Sequence, residues 1–322
     1  MAAYDLTFAA IYVEWHTRTC HFAQSRPILK AVEHVSAFKE YHMSATTPEI
    51  QPRRMTIPFD SLNQRFFFAN NPLLSAFTGA LSSTFPPGEA EFIASVRLYR
   101  DQVTSPELQE QIRGFIGQEG HHSHQHKRAN EVLRDLGIDA VRLEKSLERE
   151  IKRRLHDGQA KPKFRLALTV GMEHLTAILA EHVLTNPEIF DGLDDSVKEL
   201  LYWHAVEEIE HKAVAFDVFM STEGDQAYLR RILRLATMMF TVRISLYMVA
   251  LLWWSKKRPS WHDIKEFYRF LFGKKGMISG VRSNYKDFFK AGFHPWDHEN
   301  TALIERWKKE FYRAEHDQTK SA

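Results

Sequence analysis

The chain has 322 residues, enough to bury one large core or two, and its 43 basic and 41 acidic residues leave a formal charge of +2. That balance offers no overall electrostatic argument for nucleic acid as a partner. The lone cysteine, Cys20, excludes a disulfide framework, a thiolate zinc site and an iron–sulfur cluster. A reducing, cytoplasmic setting fits. Histidine is the unusual residue: there are 17, nine of them between His121 and His211.

Residues 1–42 lack the basic start and apolar core of a signal peptide, because His16, Arg18, His21 and Arg26 interrupt them. They are read as an N-terminal extension, with Met43 as a candidate true start. Beyond it, Pro and Gly fall between long segments of helical periodicity, and β-branched alternation is scarce. The pattern is all-α. After the arm RRMTIPF at Arg53–Phe59, helices are expected at Pro72–Ser82, Pro87–Val103, Pro106–Leu136, Asp139–His156, Phe164–Leu184 and Asp195–Met220. The expected organisation is a bundle over residues 43–222 and a C-terminal helical region over 223–322, packed on the bundle. The charged helix at Asp139–His156 is expected to be an exposed connection between the bundle's halves.

Two Glu-x-x-His runs carry the chemistry: Glu119…His122 in QEGHHSHQH and Glu208…His211 in WHAVEEIEHK. Residues three apart share a helix face, so each helix aims a Glu and a His at one point. Two such helices, with one Glu from each of two others, supply a carboxylate-bridged pair of metal ions. His126 extends the first stripe at i+7, and His204 begins the second four residues before Glu208. His121 and His124 point elsewhere. Glu207 and Glu210 are candidates for an outer layer or for solvent. On the third helix Glu173 is preferred and Glu181 is the runner-up, both among apolar residues where an unpaired carboxylate is costly. On the first helix the choice lies between Glu89 and Glu91, and the helix dipole by itself favours a Glu in a first turn.

With these runs in place, the chain resembles the bacterial family named predicted metal-dependent hydrolases, within the wider ferritin-like di-metal carboxylate fold. The resemblance rests on RRM (Arg53–Met55), FPPGE (Phe85–Glu89), QEGHHSHQH, EHLTA (Glu173–Ala177), WHAVEEIEHK and GFHPWD (Gly292–Asp297). It implies a ferritin-like four-helix bundle with additional C-terminal helices. It also implies Glu89 rather than Glu91 as the first-helix carboxylate, and Glu119, His122 and His126 over His121 and His124. The full set of metal candidates is then Glu89, Glu119, His122, His126, Glu173, His204, Glu208 and His211. Glu207, His294 and Asp297 are candidates to support them from outside.

Carboxylates with one or two His per metal suit Fe, Mn or Zn. Ligand chemistry alone puts a di-iron, O₂-activating oxidoreductase acting on an apolar or acyl substrate first, with an electron donor as its partner. A hydrolase using metal-bound hydroxide comes second and a non-enzymatic metal-binding protein third. No Gly-x-Ser-x-Gly elbow and no Gly-rich nucleotide loop is present. Finally, Leu235–Trp254 is twenty residues long with one charge, Arg243, and is flanked by Arg230, Arg231, Arg234, Lys256, Lys257 and Arg258. A buried or membrane-dipping helix is expected there ahead of a plain core helix or a true span. That places the protein in the cytoplasm, peripheral at the inner membrane, with a lipid-like or other small-molecule substrate.

Overall fold

The computed structural model describes residues 48–320, with side chains to residue 310. The N-terminal extension at 1–42 lies outside the described residues. Among these residues the chain is helical, with one isolated bridge between Phe68 and Leu193. In chain order the helices are α1 (Pro72–Ser82), α2 (Phe85–Arg97), α3 (Pro106–Asp135), α4 (Ala140–Ile151), α5 (Pro162–Thr185), α6 (Asp195–His211), α7 (Val214–Thr222), α8 (Gln226–Ser255), α9 (Trp261–Phe272), α10 (Met277–Gly280), α11 (Arg282–Asp287) and α12 (Thr301–Lys320).

Local chemistry sets the boundaries. The Ser105 hydroxyl accepts from the Leu108 N–H and Pro106 opens α3, while Gly137, at φ +91°, closes the turn after it. Helix α2 begins at Phe85, two residues before the expected start, because prolines at 86 and 87 fit a first turn. Glu89 therefore stands beyond the first turn, and the helix dipole no longer accounts for it. The same segment ends at Arg97, followed by a 3₁₀ turn at Arg100–Gln102 instead of a helix to Val103. The fourth long helix is not continuous either. It kinks at Lys212–Ala213, where the Lys212 ammonium is drawn to His298 O and Asn300 Oδ1, both at 2.6 Å. The expected exposed connection at Asp139–His156 is amphipathic: α4 buries Ala140, Val141, Leu143 and Leu147 before a π-helical turn at Lys152–Asp157.

Helices α2, α3, α6 and α5 pack in a ring, each against the next and α5 back against α2. Each turns one stripe to the interior. On α3 that stripe runs Leu108, Ile112, Phe115, Glu119, His122, His126 and on to Leu133; on α6 it runs Val197, Leu200, His204, Glu208, His211. On α5 it runs Leu166, Val170, Glu173, Ala177, Ala180, Leu184, and on α2 Glu89, Phe92, Val96. The spacing of three and four residues keeps each series on one face. Polar residues thus occupy core positions halfway along otherwise apolar stripes, at the same level of the ring. Helix α8 packs on α1 and α5, and α12 closes on α6 and α5.

Candidate metal centre

At that level Glu89, Glu119, Glu173 and Glu208 converge with His122, His204 and His211, and all seven are at most 3% exposed. His211 Nε2 lies 3.3 Å from Glu119, 3.4 Å from Glu173 and 3.6 Å from Glu208. His122 Nδ1 lies 3.9 Å from Glu119 Oε2, and His204 Nε2 lies 2.7 Å from Glu208 Oε1 and 3.9 Å from Glu89. Four triads of ligand atoms have all members within 4.8 Å of one another: Glu89 with His126 and His204, His122 with His204 and Glu208, Glu89 with Glu119 and His122, and Glu119 with Glu208 and His211. Both oxygens of Glu89, Glu119 and Glu173 lack a hydrogen-bond partner within the protein, as do His122 Nδ1 and His211 Nε2.

The outer layer explains which way the imidazoles face. Arg53 grips Glu210 with two nitrogens (2.6 and 2.7 Å), and Lys308 adds a third cationic contact at 2.6 Å. Glu210 then accepts from Gln118 Nε2 at 2.7 Å, and the same amide nitrogen donates to Gln51 O at 3.3 Å. The Gln118 oxygen is thereby turned to His211 Nδ1, at 2.9 Å. A carbonyl oxygen cannot donate, so the His211 proton sits on Nδ1 and the Nε2 lone pair faces the three carboxylates. On the other side Glu207 takes Trp203 Nε1 and Arg53 on Oε1 and presents Oε2 to His122 Nε2 at 3.0 Å. With Glu207 ionised, His122 donates from Nε2 and turns its Nδ1 lone pair inward. This inner and outer pairing is the arrangement that orients metal-bound histidines.

Electrostatics agree with the geometry. Burial, and then the neighbouring carboxylates, push Glu89, Glu119 and Glu173 well above the ordinary carboxylate range. Burial acts on Glu208 too, but the hydrogen bond from His204 and the nearby His211 hold it well below that range. Burial, and next the nearby His204, push His122 and His126 well down, so both are neutral. Glu207 is pushed up to about 8 by burial against the pull of Arg53. Left to itself the buried cluster avoids crowded negative charge by keeping protons on Glu89, Glu119 and Glu173. Divalent cations would take the place of those protons, and a set of carboxylate oxygens and imidazole nitrogens suits them.

Of the remaining candidates, His126 sits at the edge of the cluster, in reach of Glu89 and His204. Its Nε2 meets His204 Nδ1 at 2.8 Å and its Nδ1 meets the Ser82 hydroxyl at 3.0 Å. His124 is exposed and His121 half-buried, away from the cluster. Glu91 is a structural partner for Arg165 and His156. Glu181 accepts from Asn284. His294 and Asp297, expected to cover the cluster, instead build a turn of their own: His294 binds Asp217 at 2.9 Å, and the exposed Asp297 accepts from the His294 N–H. The Pro295–Trp296 turn lays Trp296 under the Lys212 ammonium. Arg53, Gln118, Thr176 and Lys308 were not singled out from the sequence. Arg53, Gln118 and Thr176 had a signal, lying inside runs that carry the family resemblance; Lys308 had none. Thr176 donates to Glu208 Oε2.

A helical ring around a buried set of carboxylates and imidazoles defines an all-α protein with side chains grouped as metal ligands are. The model of the family described as predicted metal-dependent hydrolase matches residues 51–299, and the chain belongs to that family. No curated protein and no solved structure matches it.

Proposed function

We propose that this protein is a metal-dependent hydrolase whose Glu/His cluster holds two divalent ions in a ferritin-like arrangement of α2, α3, α5 and α6. One observation carries the reading: beside Glu208, the three carboxylates of Glu89, Glu119 and Glu173 and the inward nitrogens of His122 and His211 face one another with no hydrogen-bond partner in the surrounding interior. Four buried negative charges are matched by two divalent ions. Glu89, Glu119, Glu173, Glu208, His122, His204 and His211 would hold them. The order of the four helices, with a long connection between the second and third, supports the ferritin-like assignment. When bound, such ions supply Lewis acidity and hydroxide at neutral pH.

The protein's own contribution is orientation. Gln118 holds the outer imidazole proton of His211, Glu207 when ionised holds that of His122, and Thr176 fixes one oxygen of Glu208. His126 backs His204. The apolar stripes above and below keep bulk water out, which strengthens every charge interaction inside.

Ligand chemistry alone put O₂ activation first. The family description favours hydrolysis, and no feature of the cluster requires iron. An apolar or acyl substrate remains part of the proposal. The test is metal analysis of protein purified without oxygen, followed by assays of ester and phosphate hydrolysis and of O₂ uptake. About two zinc or manganese ions per chain, with hydrolysis that a chelator abolishes, is the expected result. Two irons with an O₂-dependent spectral change and no hydrolysis would overturn the reading in favour of the oxidoreductase.

A further inference from the structure

Helix α8 is long and apolar enough to cross a membrane, yet it is two-sided. Leu229, Ile232, Leu233, Ala236, Ile244, Tyr247 and Leu251 are buried against neighbouring helices. Its single central charge, Arg243, also faces inward, held by both Glu150 oxygens at 3.0 and 3.1 Å. Helices α1 and α5 pack along the buried side, so lipid cannot surround α8 as it would a span.

The other side is open. Met238, Val242, Val249 and Trp253 follow one another at helical spacing along it, and all are exposed, Trp253 at 81%. Helix α9 repeats the pattern. It turns Phe267 and Phe270 to Phe77 and leaves Trp261, Ile264, Tyr268 and Phe272 in solvent, Trp261 at 80%. Exposed aromatic side chains at this density are unusual on a surface in contact only with water. The charges around them are one-sided. From Gln226 to Lys286 there are thirteen Lys and Arg and two acids, Asp263 and Glu266, in a chain whose total is +2. The rest of the chain is therefore net acidic. Of the two acids, Asp263 is taken up by the Ser260 cap.

An apolar stripe with Trp at its end, bounded by Lys and Arg and packed on a rigid body behind, is the composition of a helix that lies in a membrane interface. We propose that the solvent faces of α8 and α9 dock flat on an anionic lipid bilayer. Trp253 and Trp261 enter the headgroup boundary, and Lys256, Lys257, Arg258, Lys265 and Arg269 meet the anionic headgroups. The charge asymmetry selects lipid over a second copy of the chain, because two copies of this face would bring like charges together.

The experiment is co-sedimentation of the full chain with vesicles of phosphatidylcholine alone and of phosphatidylcholine with phosphatidylglycerol, with sizing of the free protein. The anionic vesicles should retain the protein at low salt and release it as salt rises. Tryptophan emission should shift to the blue on binding, and less so in Trp253→Ser/Trp261→Ser. Reversing Lys257, Arg258 and Lys265 to Glu should weaken binding by on the order of a hundredfold or more, at about fivefold per basic residue. All these side chains are exposed, so the variants should keep the wild-type melting temperature. Protein that stays in solution with anionic vesicles at low salt would overturn the proposal. So would equal binding to both vesicle types, or a dimer that the Trp variants dissociate in place of lipid binding.

Discussion

Glu208 touches more of the cluster than any other single carboxylate described above, receiving His204, Thr176 and the edge of His211. Glu208→Ala should purify with little metal, while His124→Ala, whose side chain is exposed, should keep the wild-type content by elemental analysis. The outer layer should matter by a smaller factor. Gln118→Leu removes the acceptor that fixes the His211 proton on Nδ1, and a loss of 10–100-fold in metal affinity is expected from competition with a chelating dye. An unchanged affinity would show that His211 is oriented by packing alone. At this scale the inner residues were legible and the outer ones were not. Glu119 and His122 share a face by spacing, whereas Arg53 reaches Glu207 across 154 residues with no periodic signal. His126 lies on the right stripe, but seven residues advance about 10 Å along a helix. That carries it past the level of Glu119 to the edge of the cluster, against His204 and within reach of Glu89.

Among the elements, the arm at Ile50–Met55 depends on two glycines of α3. A Cβ on Gly114 would stand 2.5 Å from the Ile50 carbonyl oxygen, and one on Gly117 would overlap Pro52. The arm is stapled there by Gln118 to Gln51 O and by Gln125 to Met55 O, and it delivers Arg53 to Glu207 and Glu210. Gly114→Ala should destabilise the protein by about 1–3 kcal/mol through overpacking. Gly120→Ala, on the same helix but with open space around it, should stabilise it by roughly 0.5–1 kcal/mol through helix propensity. Denaturant melts of the two variants test the pair; equal shifts would mean the arm does not bear on α3. The centres of the long helices were readable because caps and periodicity agree with tertiary packing. The kink at Lys212–Ala213 was not, since it goes with contacts from His298 and Asn300, more than eighty residues away.

Across the whole molecule, the ring of helices was legible as helices but not in its surroundings, since no local pattern states that α12 returns to the centre. Metal removal is the test at this scale. Glu89, Glu119 and Glu173 have folded pKa values raised above the unfolded one. Their protonation therefore favours the metal-free fold in acid, and that contribution is lost as pH rises through the raised values. A chelator should lower the melting temperature more at pH 8 than at pH 5, and an equal effect at both would count against buried carboxylates as the ligands. Saturating metal at a hundred times its dissociation constant contributes about 2.7 kcal/mol. Arg53 and Lys308 meet on the single carboxylate of Glu210, although 255 residues separate them in the chain. A ribosome must therefore have passed codon 308 before the cluster's outer layer can close. If the cluster takes up metal, its outer layer reaches this form only after α12 has emerged, so a nascent chain stalled before α12 would meet ions with Glu210 lacking its Lys308 contact.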